Sequence, residues 1–192
     1  MTHAAKTPPK RLVGCELIDL AARSPAAFVD VCEKRYHDRL DRVVETALER
    51  KVQIIMLTGP SAAGKTTTAH KLAERIAARG MRSAVMSLDD FFVGEGRYPK
   101  QPDGSDDYEC VEALDLPVLR SCLASLARTG RCEAPIFSFL SQRPTGETRT
   151  VDARGGIVVV EGLHAFNPAL QVDALPAGTA LHLYAGLREE YA

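Results

Sequence analysis

"VQIIMLTGPSAAGKTTTAHKLAERIAARG", residues 52–80, changes character twice, and the two changes decide the fold. Residues 52–59 are a short, unbroken apolar run ending in Gly59, the pattern of a strand buried on both faces. The segment after Lys65 carries Leu72, Ile76 and Ala77 at helical spacing and stops at Gly80, the pattern of a helix closed by glycine. Between them Gly59-Pro60-Ser61-Ala62-Ala63-Gly64-Lys65-Thr66 fits G-x-x-x-x-G-K-[ST], with the strand before and the helix after that this motif needs. Glycines let the backbone curl so that successive N–H groups face into the loop, and the following helix starts with unpaired donors and a positive dipole end. Lys65 adds a mobile positive charge for β- and γ-phosphates, and the Thr66 hydroxyl is placed for Mg²⁺. The stretch reads as a nucleoside-triphosphate site made by Gly59, Pro60, Ser61, Ala62, Ala63, Gly64, Lys65, Thr66 and Thr67.

Working outward, "RSAVMSLDDFF" (82–92) reads as a second strand that finishes on two carboxylates, and the Gly- and Pro-rich residues after it as loop. Pro117 to Thr129 reads as a helix ended by Gly130. Residues 131–155 hold the β-like "APIFSF" and a polar connection, which suggests a hairpin and not a further parallel strand. "IVVVEG" (157–162) is a buried strand ending in Glu161, and "TALHLYAGL" (179–187) is a last strand. Upstream, residues 1–14 lack periodicity and read as a loose arm. Ser24 and Pro25 then open a helix or helix pair with Phe28, Val31, Leu40, Val43, Val44 and Leu48 at helical spacing. Strands alternating with helices predict an α/β three-layer P-loop fold with a mainly parallel sheet, carrying a small β-hairpin insertion and an N-terminal helical extension. The expected division is an arm and helical extension over 1–50 and a nucleotide-binding domain over 51–192.

A chain of 192 residues, 45% of them hydrophobic, is long enough for a domain that buries roughly 70% of its unfolded surface. Its 24 basic and 25 acidic residues nearly cancel, so nothing at whole-chain level calls for nucleic acid or an anionic membrane. The five cysteines, Cys15, Cys32, Cys110, Cys122 and Cys132, are irregularly spaced with no zinc pattern, and read as reduced thiols. The start has no apolar core of signal-peptide length and no run reaches the ~20 residues of a membrane span, so a cytoplasmic protein is expected, with homo-oligomerisation left open.

Glu161 closes its apolar run as a Walker-B carboxylate does, in reach of Mg²⁺ directly or through water. Asp89 and Asp90 stand at the end of the second strand, and in an open α/β sheet ligands bind at the carboxyl ends of strands. Alternation along a strand sends one of the two to each face. A carboxylate facing the γ-phosphate can take the proton of an attacking hydroxyl, whereas one that caps the next turn cannot.

The set "GPSAAGKTT", "SLDDFF", "DYECVEALDL", "APIFSFLSQR" and "VVVEGLHAFNP" resembles the uridine kinase and phosphoribulokinase family of P-loop kinases, in order and separation, over about residues 50–187. The resemblance implies ATP as phosphate donor with Mg²⁺, Asp89 as the base for the acceptor hydroxyl alongside Lys65, Glu109 as a binder of acceptor hydroxyls, and Glu161 as a Mg²⁺ holder. Pyrimidine-nucleoside kinases of this type carry Tyr and His in the segment matching "PIFSFLSQR"; this sequence has Phe137 and Gln142, and a Phe cannot hydrogen-bond a base edge. Arg143 in the same segment could face an anionic acceptor, and His164, with Asn167, lies just past the Walker-B carboxylate. Family members continue past the last strand into an arginine-bearing lid, whereas this sequence ends at Ala192, which reads as a fragment or as weakened chemistry. Three functions stay open at this point: phosphoryl transfer from ATP to a nucleoside such as uridine, transfer to another small acceptor (a sugar phosphate, pantothenate-like or glycerate-like compound), or a nucleotide-binding regulatory module without transfer.

Overall fold

The computed structural model describes residues 11–13, 15–170, 178–186 and 189–191. In chain order its elements are β1 (Arg11–Val13), α1 (Cys15–Arg23), α2 (Pro25–Glu49), β2 (Ile54–Thr58), α3 (Lys65–Ala78) and β3 (Ser83–Ser87). There follow α4 (Leu116–Thr129), β4 (Arg131–Ser138), β5 (Arg143–Asp152), β6 (Ile157–Glu161), β7 (Ala180–Tyr184) and β8 (Glu189–Tyr191). Short 3-10 turns occupy Leu88–Phe91, Val111–Ala113 and Pro168–Leu170. The chain divides into two units, one of Leu40–Ala185 and one of the residues up to Arg39 with those from Gly186 on.

In the smaller unit β1 pairs in parallel with β8, Arg11 beside Glu189. The sequence break at Ser24 separates α1 from α2. The Ser24 carbonyl accepts the Phe28 N–H at 3.0 Å, and Pro25 sits at the first helical position, where its missing N–H leaves no helical bond unmade. Of the apolar residues at helical spacing, Phe28 and Val31 are 43% and 47% exposed; burial on α2 starts at Leu40 and recurs at Val44 and Ala47.

The larger unit is built on a four-stranded sheet of order β3-β6-β2-β7, parallel throughout. Every residue of β2 and of β6 is buried, which is why both read as continuous apolar runs. Ile54, Met56, Val158, Val160 and Met86 point into one cluster with Leu119, Leu123 and Leu126 of α4. The residues between them face the opposite side, where α3 packs against β6 and β3 with Leu72 and Ile76 fully buried. Three layers result. The region 131–155 is an antiparallel hairpin, β4 with β5, irregular between Pro135 and Phe137. α4 begins at Leu116, its N-terminus closed by the Asp115 carboxylate accepting from Val118 N–H at 3.2 Å.

The second strand is shorter than its sequence suggests. It pairs with β6 only as far as Ser87 beside Glu161, and there the Ser87 hydroxyl accepts the Asp89 N–H at 3.4 Å and starts the 3-10 turn. Asp89 and Asp90 therefore sit in a turn, and their opposite directions come from the turn and not from a pleat. At the other end of the sheet Gly156 touches the chain leaving α3: an added Cβ would collide with the Arg82 carbonyl oxygen and lie 2.7 Å from its carbon. Gly156→Ala should cost about 1–3 kcal/mol of stability, as over-packing does, read as a lower urea midpoint at unchanged slope.

Candidate active site

Register places the site. Ser87 stands beside Glu161 on the β3–β6 ladder and Leu57 beside Glu161 on the β6–β2 ladder, so the ends of three strands and the loop leading to α3 meet at one carboxyl edge. The loop 59–64 curls through two left-handed residues, Ala62 (φ 58°) and Gly64 (φ 76°). The Ala63 N–H donates to the Pro60 carbonyl at 3.2 Å and closes a turn. Gly64 heads α3 without a side-chain cap, so the dipole end of the helix opens into the loop. The Lys65 ammonium folds back and donates to the Pro60 carbonyl at 2.9 Å, across the mouth of the loop.

Glu161 is only 3% exposed. Two hydroxyls converge on its Oε1: Ser87 Oγ donates at 2.8 Å and Thr66 Oγ1 at 3.2 Å. A buried carboxylate without donors would cost several kcal/mol, and these two supply them. The Thr66 hydroxyl and the Glu161 carboxylate are hard oxygen donors side by side, the type that suits Mg²⁺ bound mainly through phosphates. No group of three or more His, Cys, Asp or Glu able to hold a metal by itself occurs among the described residues. Nearby, the Thr58 hydroxyl donates to the Leu163 carbonyl at 2.6 Å and ties the chain after β6 to β2.

Asp89 is open to solvent on one side, yet the surrounding protein desolvates its carboxyl and pushes its pKa up. The negative charges of Glu161 and Asp90 push the same way, while Lys65 and His164 pull it down. These groups thus share one electrostatic environment. The His164 Nε2 is buried without a hydrogen-bond partner. Asp90 turns away and is held by Arg149 of β5.

The other candidates lie further along. Phe137 is 6% exposed, its ring enclosed between Phe92 (centroids 5.7 Å) and Phe139 (5.2 Å). Gln142, left-handed at φ 54°, donates from Nε2 to the Phe139 carbonyl at 2.9 Å and lines a cavity of about 380 Å³ with Glu95, Tyr98, Asp106 and Tyr108. Arg143 pairs with Glu95 at 3.5 Å. Glu109 is exposed in the loop that follows Tyr108, and the Asn167 side-chain oxygen accepts from Ala169 N–H at 2.8 Å, capping the 3-10 turn there. A larger cavity, about 560 Å³, opens at the amino ends of the strands around Val52, Gln53 and Gly156, at the opposite end of the sheet from Asp89 and Lys65. Ser87, Arg149, Tyr98 and Tyr108 are absent from the sequence-level candidates. Only Tyr98 and Tyr108, two aromatics in a polar loop, carry a signal that could have been read there.

A G-x-x-x-x-G-K-T loop between a central parallel strand and a helix, with a carboxylate ending the neighbouring strand, defines a P-loop α/β protein. More narrowly, residues 54–173 match the phosphoribulokinase / uridine kinase family, and the chain belongs to that family. It is 31% identical over 116 residues to a uridine kinase of Lactobacillus helveticus, covering 60% of this chain and 54% of that protein. It is 30% identical over 118 residues to a uridine kinase of Schizosaccharomyces pombe, covering 60% of this chain and 25% of that one. The chain thus spans about half, or less, of the length of the curated relatives it matches. A solved structure described as a possible uridine kinase from Bacillus stearothermophilus superposes with a TM-score of 0.61 at 20% identity, over 78% of this chain and 80% of that one, and shares the fold. No helix among the described residues is long and apolar enough to cross a membrane.

In a carboxyl-carbon NMR titration of the nucleotide-free protein, Asp89 should titrate above the ordinary aspartate value. Lys65→Met should raise it further, by removing the cation that favours the charged form, and Glu161→Gln should lower it. An ordinary midpoint that neither substitution moves would show that the three groups do not share a site.

Proposed function

We propose that this chain transfers the γ-phosphoryl group of ATP to a hydroxyl of a small uncharged acceptor, a nucleoside such as uridine. The observation that carries this reading is Asp89, a partly desolvated carboxylate at the carboxyl edge of the sheet, in the field of Lys65 and Glu161. A module that only bound nucleotide would have no use for a base there.

In this reading the amides of residues Gly59 to Thr67 hold the phosphates, and Lys65 leaves the Pro60 carbonyl to reach the β- and γ-phosphates. Thr66 and Glu161 would hold Mg²⁺, which neutralises phosphate charge when bound. Asp89 accepts the proton of the acceptor hydroxyl as its oxygen bonds to the γ-phosphorus and the bond to the β–γ bridging oxygen breaks. His164, with a buried and unpartnered Nε2 near Asp89, is suited to hydrogen-bond the acceptor. Gln142 and the neighbouring tyrosines would line the far end of the acceptor site, with Phe137 supporting it from the core, and Glu109 and Arg143 at its rim.

Charge supports an uncharged acceptor over a phosphorylated or carboxylated one. The cavity presents Glu95 and Asp106, and the cations beside it are engaged, Lys100 with Asp106 at 2.6 Å and Arg143 with Glu95 at 3.5 Å. Residues 94–110 carry five acidic side chains against two basic ones, so an anion entering here meets net repulsion.

Asp89→Asn should lower single-turnover phosphotransfer to uridine by about 10²–10⁴-fold with little change in ATP affinity. Because the folded-state pKa of Asp89 is raised, the folded protein binds its proton more readily than the unfolded chain. Its ionisation therefore disfavours folding as pH rises through that pKa, and the Asn variant should melt no lower than the parent at neutral pH. Lys65→Ala should weaken Mg-ATP binding in calorimetry while the melting temperature holds; unchanged ATP affinity would overturn the phosphate-site assignment. Across nucleosides, uncharged polyols and sugar phosphates compared by kcat/KM, the sugar phosphates should be the poorest acceptors. A preference for them would overturn the uncharged-acceptor reading, and Mg-ATP binding without transfer to any acceptor would favour the regulatory module.

A further inference from the structure

We infer that the Arg149–Asp90 pair is a positioning clamp, which fixes Asp89 by fastening its turn to the β4–β5 hairpin. Arg149 Nη2 and Nε donate to a single oxygen of Asp90, Oδ2, at 2.9 and 3.3 Å, and Nη1 donates to the Val85 carbonyl at 3.2 Å. β3 is an outer strand of the sheet, so the guanidinium also satisfies a carbonyl on its open edge.

The turn Leu88–Phe91 has four side chains, and three are fastened. Leu88 and Phe91 are each 1% exposed in the core, and Asp90 is held by Arg149. Asp89 is the one left facing solvent, so its direction is set by the three side-chain anchors and by its own N–H, which donates to Ser87 Oγ at 3.4 Å. Two of the side-chain anchors are apolar and non-directional; among them the guanidinium–carboxylate contact is the directional one. The clamp also reaches the acceptor end, because β4 and β5 carry Phe137 and Arg143, and Gln142 lies in the turn joining them. The proton acceptor and the wall of the acceptor cavity are held as one piece. Asp90 and Arg149 touch neither substrate in this account, and act through Asp89.

The inference rests on the proposed role of Asp89, and its test separates the two. Arg149→Met, Arg149→Lys, Asp90→Asn and the Asp90→Asn/Arg149→Met double variant are made in the full chain. Each is read by single-turnover transfer from Mg-ATP to uridine, by the KM for ATP, and by amide hydrogen exchange. Arg149→Met should slow transfer by about 10–100-fold, the scale of an ångström-level misplacement, at unchanged KM for ATP. Exchange should quicken over residues 88–92 while residues 65–78 and 157–161 keep their protection. Arg149→Lys, which keeps the charge and loses the fork, should fall between parent and Met variant, and the double variant should be no slower than the worse single one. Unchanged exchange over 88–92, or a uniform rise across all segments, would overturn the clamp, the second by showing a merely stabilising contact. If the parent binds Mg-ATP but transfers nothing to any acceptor, the phosphotransfer reading falls, and the exchange data decide the clamp alone: a rise confined to 88–92 supports it and no rise overturns it.

Discussion

Glu161 is a carboxylate taken almost out of water, and much of the site exists because that burial has to be compensated. Its donors come from different elements, Ser87 from the end of β3 and Thr66 from the first turn of α3. Each can reach Oε1 only when β6 lies between β2 and β3 in the observed register. A slip of one residue would turn the carboxylate to the other face of the sheet and leave a buried charge without donors, a cost of several kcal/mol. The same two hydroxyls link the phosphate loop to the turn that bears Asp89: Ser87 donates to Glu161 and accepts from the Asp89 N–H. One buried charge thus holds together the parts that phosphoryl transfer would need.

The hairpin has a related logic. β3 is an outer strand, and an open strand edge invites unwanted pairing. β5 packs along β3, and Arg149 meets a strand carbonyl and the Asp90 carboxylate together. Covering the edge and bracing the turn are the work of one side chain. The hairpin's other end, around Gln142, bounds a cavity whose two carboxylates, Glu95 and Asp106, already engage Arg143 and Lys100. The edge of the fold and the selectivity proposed for the acceptor therefore share an element.

Local sequence made the phosphate loop legible because its physics is local. Gly64 takes a left-handed conformation at the start of α3, and Lys65 and Thr66 follow by position alone. Burial on both faces made β2 and β6 legible, since a fully buried strand needs an unbroken apolar run. The end of β3 is not legible in "SLDDFF" because Leu88 and Phe91 stay buried, and so keep the run apolar, after hydrogen bonding to β6 has ceased. The apolar spacing on α2 was likewise real, while burial begins only at Leu40. Periodicity records which residues could be covered, and the neighbour that covers them lies elsewhere in the chain.

The sequence by itself determined the phosphate loop, the two buried central strands and the acids that end or follow strands, because each depends on residues within one turn or one strand of each other. Only the tertiary structure decided which acid faces the loop, what braces it and which cations pair with the carboxylates of the cavity. Ser87 reaches Glu161 across 74 residues, Thr66 reaches it across 95, and Arg149 reaches Asp90 across 59. Such contacts are set by strand order and register, where burial of both strand faces and compensation of a buried charge select one arrangement of the whole chain.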